Sequence, residues 1–363
     1  RTKHLQTTNV MTTVNMANTP DDLKEHLSKV EESLSHLRTS CQESVTTHSP
    51  TISNTLEVAN VAQPLNEVPK LSSLLSAHAT KLGLVFKPPI AITTYKACRT
   101  EVDSLLKYAA LLVSLLNQIQ EEKEKYSIVF ANELSSDGLS VLEACVALIS
   151  GLKELVSFEE ATETVLTDQR LVGVGFIWEA CEKLTKTCKN GSSGVLRSKL
   201  KQTNRLVVDA LNELNEWLEN PIVGGGFDFD EEDIFGLSND IGSDGEEEKA
   251  EDKVIAFGKL WSTRIQLVKL LVSLLDKSVP ASKYNPKFSK GLDALNAKCL
   301  KVSEHVDDVV ACTVYDADVE SGELASKSLA KEINQIVDLT RKINNNDEKK
   351  CKWLDSWKTK FEE

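Results

Sequence analysis

The twelve residues from Asp240 to Glu251, DIGSDGEEEKAE, have the outline of a calcium-binding loop. Such loops set oxygen ligands at positions one, three, five and twelve, with glycine at six where the chain turns sharply. Asp240, Asp244, Gly245 and Glu251 fill positions one, five, six and twelve. Gly242 brings no side-chain oxygen to position three, and Glu247 stands at position eight, where an apolar residue is usual. The preceding FGLSN is also too short for an entering helix. The expectation is diffuse, weak cation attraction and no specific metal site.

Other candidate chemistry is weaker still. The six histidines (4, 26, 36, 48, 78 and 305) stand beside no motif serine or cysteine. His78 falls on an apolar helix face, where a packed, hydrogen-bonded ring is expected. Gly173-Val-Gly175 and Gly224-Gly225-Gly226 lack the lysine and the preceding strand of a phosphate loop. Asp307 and Asp308 are helix neighbours whose side chains diverge, so they make no catalytic dyad. Eight cysteines never form CxxC; they read as buried thiols of a reducing compartment, without zinc-ligand spacing. No catalytic, cofactor or metal residue emerges, and a non-enzymatic protein is expected.

What remains is binding. Residues 228–252 hold twelve acidic side chains and one lysine, so this short segment carries eleven of the chain's thirteen net negative charges. The rest is close to neutral, which gives no support to a nucleic-acid surface. Phe227, Phe229, Ile234, Phe235 and Leu237 are interspersed with these carboxylates. Such mixtures stay disordered and dock on basic, apolar-lined partners, or they patch an exposed bundle edge. Ser243, followed by Asp244 and Glu246, suits acid-directed serine kinases; its phosphate would add about −1.5 to −2 charge.

The elements around this segment are helical. Thr19-Pro20-Asp21-Asp22 opens a helix whose Leu23, Leu27, Val30, Leu34, Leu37 and Cys41 recur on one stripe. Pro64 or Pro69 opens a second, halted by Lys87-Pro88-Pro89. The third, about 94–123, has an apolar face including Val102, Leu105, Leu106, Leu112 and Ile119, too wide for a two-stranded coiled coil. A fourth covers about 127–157, with Asp137-Gly138 as a possible bend. Thr167 starts a fifth carrying Leu171, Val174, Ile177, Trp178, Cys181 and Leu184, closed by Asn190-Gly191. A sixth uses Leu196, Leu200, Val207, Leu211 and Leu214.

After the acidic segment, Ile255, Leu260, Trp261, Ile265, Val268, Leu271 and Leu275 stand apart from a polar line through Ser262, Gln266, Lys269 and Ser273. Lys259, Arg264 and Lys269 interrupt this apolar stretch, so it reads as a core helix and not a membrane span. Pro280 ends it. The eighth uses Leu292, Leu295, Cys299, Val302, Val306 and Val309; the last two use Leu329, Ile333, Ile336 and Ile343, then Trp353, Leu354, Trp357 and Phe361.

The expected fold is therefore all-α: antiparallel bundles of about ten long helices with an acidic disordered insert. The domain reading is a flexible N-terminus (1–18), an N-terminal bundle (19–160) and a C-terminal bundle (167–363) interrupted by an acidic linker (221–252). Leu106 and Leu271 are core positions in this scheme. Arg1 leaves the native start open, and no signal peptide is visible.

Several segments in order resemble the cyclin-D-binding protein family, GCIP. They are LSAHATKLGLVF (75–86), a proline joint and TYKACRTEVDSLLKY (94–108), then Ile177-Trp178-Glu179-Ala180-Cys181 and a long helix. An acid-rich insert, the Ile265–Leu275 helix, and Val302 to Asp308 with Tyr315 follow. The resemblance spans about residues 65–345 and rests on segment order, not on one short motif. It implies a non-enzymatic, nuclear and cytoplasmic regulator of cell-cycle progression or transcription. Its partners would be regulatory proteins of cyclin or helix-loop-helix type, with no direct nucleic acid, membrane or cofactor. A vinculin- or talin-like cytoskeletal adaptor is the alternative for such long amphipathic helices.

Overall fold

Thr19 and Asp22 begin the first helix by exchanging hydrogen bonds. Asp22 N–H donates to Thr19 Oγ1 at 3.2 Å, and Thr19 N–H donates to Asp22 Oδ2 at 3.1 Å, so two otherwise orphaned amides find acceptors. This helix, α1 (Pro20–Thr47), heads a computed structural model that describes residues 19–47, 58–157, 163–223, 249–279, 286–344 and 347–363. Ten α-helices and no strand occur among these residues. The fold is all-α. The chain divides into two compact units, residues 1–122 with 131–189 and residues 123–130 with 190–363.

In the first unit, α1 buries the whole expected stripe from Leu23 to Cys41. α2 (Pro64–Val85) starts on a proline, whose missing N–H is no loss in a first turn, and stops before Pro88-Pro89. α3 (Tyr95–Glu121) packs against both α1 and α2. By length and composition this helix is apolar enough to cross a membrane, yet its last turns are buried within the unit on every side. Such enclosure favours partners for its polar side chains, and Gln118 and Gln120 each find some. Gln118 accepts from Val61 N–H at 3.0 Å and donates to Val61 O at 2.8 Å, pinning the chain ahead of α2. Gln120 donates to Asn132 Oδ1 at 3.1 Å and Ser135 Oγ at 2.9 Å on α5 (Ile128–Ser157).

Asp137-Gly138 does not interrupt α5. A Cβ at Gly138 would sit 2.2 Å from Leu116 Cδ1, so α3 comes close to the α5 backbone there and a larger residue would displace that leucine. Asp137, 1 % exposed, pairs with Lys183 Nζ at 2.9 Å on α6 (Glu163–Glu219), and that hydrogen bond raises the ammonium pKa. Within α6 the backbone leaves helical geometry at Gly191, with φ 67° and ψ −173°. The two-unit division falls here, between Lys189 and Asn190, instead of in the polar joint near 160–166. Glycine tolerates a positive φ at almost no cost, so Asn190-Gly191 stops the helix as its sequence implied.

The second unit joins α4 (Lys123–Tyr126) and the first turn of α5 to the part of α6 after Gly191 and to α7 (Asp252–Ser278), α8 (Pro286–Val314), α9 (Val319–Ile343) and α10 (Glu348–Glu362). Leu200, Leu214, Ile265, Leu271, Val302 and Ile336 meet in one core. Trp357 and Phe361 of α10 stack 5.2 Å apart over it, and Trp357 Nε1 donates to Leu267 O at 2.8 Å. On α8, Asp293 caps the start of α5. Its Oδ2 accepts from Ile128 N–H at 2.9 Å, and its Oδ1 accepts from Val129 N–H at 3.1 Å and Ser127 Oγ at 2.7 Å. Ile222 and Lys249 form an antiparallel bridge, strengthened by Ala250 N–H on Pro221 O at 3.0 Å.

Glu332 on α9 gives this unit an acid-sensitive tie. Burial alone would raise its carboxyl pKa, but Lys298 at 2.8 Å, with Lys301 and His305 nearby, brings it below the usual 4.5. The carboxylate then stabilises the fold above pH 4.5, and that contribution is lost as pH falls through the lower folded value. Denaturant titrations from pH 6 to about 3 are expected to show a shallower loss of stability for Glu332→Gln than for the parent.

Some side chains depart from their expected facing. Leu105 is fully buried, whereas Leu106 is only half-buried. Leu171, Trp178, Leu260 and Trp353 reach solvent. The expected polar line of α7 turns partly inward: Ser262 Oγ donates to Asn215 Oδ1 at 2.6 Å, and Ser273 Oγ to Asn204 Oδ1 at 3.3 Å. Periodicity gives the direction of a stripe but not the width of the seam that covers it.

Candidate protein-binding surface

The part of α6 before Gly191 turns Val174, Ile177, Cys181, Leu184 and Cys188 into the first unit's core. Four large apolar residues on its flanks stay outside: Leu171 is 53 % exposed, Val172 52 %, Phe176 54 % and Trp178 49 %. Single exposed apolar residues are ordinary, but four fall within eight positions here, Trp178 on the α2 side and Phe176 on the α5 side, a concentration of the kind that marks interaction surfaces. Trp178 is held in place: its Nε1 donates to Thr80 Oγ1 at 3.1 Å and to Ser76 O at 3.3 Å on α2. Gly83 lets α2 come this close, since a Cβ there would lie 3.1 Å from Val174 Cγ2. A fixed indole with its polar atom satisfied and half its surface free is the kind of anchor that dominates binding energy.

Three histidines and Tyr315 are tied up structurally. His78 Nδ1 lies 2.6 Å from Glu101 Oε2, and its ring stacks on Tyr108 at 5.1 Å, the packed role its apolar face implied. His26 pairs with Asp103 at 2.9 Å, and His305 with Asp308 at 3.2 Å. Tyr315 donates its hydroxyl to Glu213. Near them Asp307 is pushed up, first by partial burial and then by the carboxylates of Glu213 and Asp308. Among the described residues no three His, Cys, Asp or Glu side chains form a group able to hold a metal ion.

Of the calcium-like loop, only its end is described. Glu251 precedes α7 and pairs with Lys253 at 3.0 Å, while Lys249 belongs to the bridge with Ile222. Phe227, Phe229, Ile234, Phe235, Leu237 and Ser243 lie outside the described residues, as do 1–18, His4, His48 and Pro280. The apolar patch on α6 was missed in the sequence because Leu171 and Trp178 fit the core stripe. The signal for it was the extra pair Val172 and Phe176, four apart and off that stripe.

Six of the eight cysteines, at 41, 98, 145, 181, 188 and 299, are buried; Cys312 and Cys351 are half-buried. Burial pushes the thiols of Cys41 and Cys299 up to about 12 and that of Cys181 to about 11. Thiolate is the reactive form, so these groups are inert in the folded chain. Brief alkylation of the native protein, read by peptide mass mapping, is expected to modify Cys351 and Cys312 first and to spare the other six until denaturant is added.

Residues 67–220 match the family described as Grap2 and cyclin-D-interacting, N-terminal. The match supports the resemblance to the GCIP family over this stretch. The matched residues run from α2 to the end of α6 and contain all four exposed apolar residues. An uncharacterized protein of Saccharomyces cerevisiae is 29 % identical over 314 residues, covering 83 % of this chain and 86 % of its own length. An uncharacterized protein of Schizosaccharomyces pombe is 22 % identical over 300 residues, covering 82 % of this chain and 85 % of its own.

Proposed function

We propose that this chain is a non-enzymatic regulator that works by binding other regulatory proteins, of cyclin or helix-loop-helix type, in the cytoplasm and nucleus. The observation that carries this reading is the patch of Leu171, Val172, Phe176 and Trp178 lying within the family-matched residues. The family's description as cyclin-D-interacting points to the partner class, and modulation of cell-cycle progression or transcription follows from such partners. Chemistry plays no part in this role; the side chains supply shape and apolar contact.

A direct test uses the purified full chain and a purified D-type cyclin in a titration followed by light scattering and calorimetry. Parallel crosslinking mass spectrometry of the chain recovered from cells widens the search to other regulators. Complex formation that weakens on Phe176→Asp, with melting retained, supports the proposal. Recovery of no cell-cycle or transcription protein overturns it, and co-sedimentation with actin filaments would favour the adaptor role instead.

A further inference from the structure

Beside the exposed patch, α5 and α6 of the first unit enclose a groove of about 430 Å³. Its α5 wall is built of small residues at Ser140, Ala144 and Ala147, spaced four and three apart on one face. The α6 wall is Phe176 and Ala180. Further along the same lines, a Cβ added at Gly151 or Gly175 would meet nothing within 4 Å, so the backbone itself is open there. From Ser140 to Gly151 the rail is roughly 16 Å long, three helical turns. Small residues permit a close approach of backbones, and Phe176 stands up as a side against which apolar side chains can rest.

The charges at the rim select the occupant. Three ionisable residues line the groove: Glu143, Glu179 and Lys183. Lys183 is already engaged by the buried Asp137 at 2.9 Å. Glu143 and Glu179 have no ion-pair partner among the described residues, so the rim is acidic. A second copy packed groove to groove would bring the same two glutamates against them, and an anionic lipid surface would be repelled in the same way.

We propose that this groove seats an amphipathic helix of a partner protein, about three turns long, with an apolar stripe bordered by lysine or arginine. The apolar stripe lies along Ala144, Ala147 and Phe176, and the basic residues meet Glu143 and Glu179. This rests on the protein-binding function proposed above and supplies the surface and partner chemistry for it.

The test uses the full chain and two synthetic helical peptides of about 15 residues, long enough to cover three turns. One carries leucines at helical spacing flanked by arginines, and its twin has glutamates in place of the arginines. Fluorescence anisotropy is expected to show the basic peptide binding at least about tenfold tighter, the effect of two rim charge pairs. Ala147 is solvent-exposed, so Ala147→Trp fills the groove without touching the core; it should abolish binding while melting stays unchanged. The double variant Glu143→Lys with Glu179→Lys should invert the preference between the peptides, a readout that requires a folded groove.

Equal binding of the two peptides, no binding, or full affinity in Ala147→Trp each overturn the proposal. So does a concentration-dependent dimer that Ala147→Trp abolishes, or binding to anionic vesicles that it abolishes. The two proposals can fail separately. A regulator still recovered with Ala147→Trp refutes the groove and leaves the function standing, whereas peptide binding without any recovered regulator refutes the function alone.

Discussion

Leu271→Ala is expected to lower the stability of the second unit by about 3 kcal/mol, within the range of about 2–5 measured for buried leucines. Leu271 is 1 % exposed and lies where α7 meets the helices of the unit's core. Alanine removes the transfer energy of the lost methyl and methylene groups and leaves a cavity that helices packed on several sides cannot close. Its neighbour Leu270 is 54 % exposed and provides an internal control. Leu270→Ala should cost less than about 1 kcal/mol, since little area leaves or enters water. Because the chain has two compact units, urea unfolding should be followed by probes in each. The midpoint reporting on the second unit should fall sharply for Leu271→Ala and hardly at all for Leu270→Ala. Equal losses would mean that α7 is rotated from the facing described.

Asp293→Ala should cost the same unit about 2–3 kcal/mol, more than the ~1 of an ordinary N-cap. The carboxylate accepts from two successive amides of α5 and from the Ser127 hydroxyl. Ser127 has φ 109°, an uncommon conformation for a side-chain-bearing residue, and these bonds oppose its tendency to relax. The negative group also faces the positive end of the helix. Its removal strands two amide donors and a hydroxyl at once. Asp293→Asn keeps the acceptor oxygen but loses the charge, and should recover roughly half of the loss. Hydrogen exchange at Ile128 and Val129 gives the local measurement: faster in Asp293→Ala, intermediate in Asp293→Asn. Unchanged exchange in both variants would contradict the cap.

The helices were legible because each carries its own local instruction. The stripe from Leu23 to Cys41 is buried throughout, and Asn190-Gly191 ends a helical run where the backbone turns to a positive φ. The joints between helices in sequence were much less informative about grouping. The first turn of α5 groups with the second unit through Asp293, more than 160 residues away. No periodicity records a partner at that distance, and a lone aspartate in α8 looks like any solvated polar residue. The same limit hid Gln118 and Gln120, whose burial is explained only by Val61, Asn132 and Ser135 on other segments. For the candidate surface, Phe176 and Trp178 were visible as residues but not as exposed ones. Whether a flank of a stripe is covered depends on how close the next helix comes, and Gly83 sets that distance from α2.

The bridge between Ile222 and Lys249 fastens both margins of the intervening acidic stretch at a single point, with Trp217 Nε1 bound to Ile222 O at 3.1 Å beneath it. Doubling the length of chain between two ends fixed in this way costs only about 0.6 kcal/mol, because closure entropy grows with the logarithm of the contour. The clasp therefore works as a socket. Cassettes of different size, charge or signalling content can be exchanged there by natural variation or by cloning, while the surrounding helices keep their register.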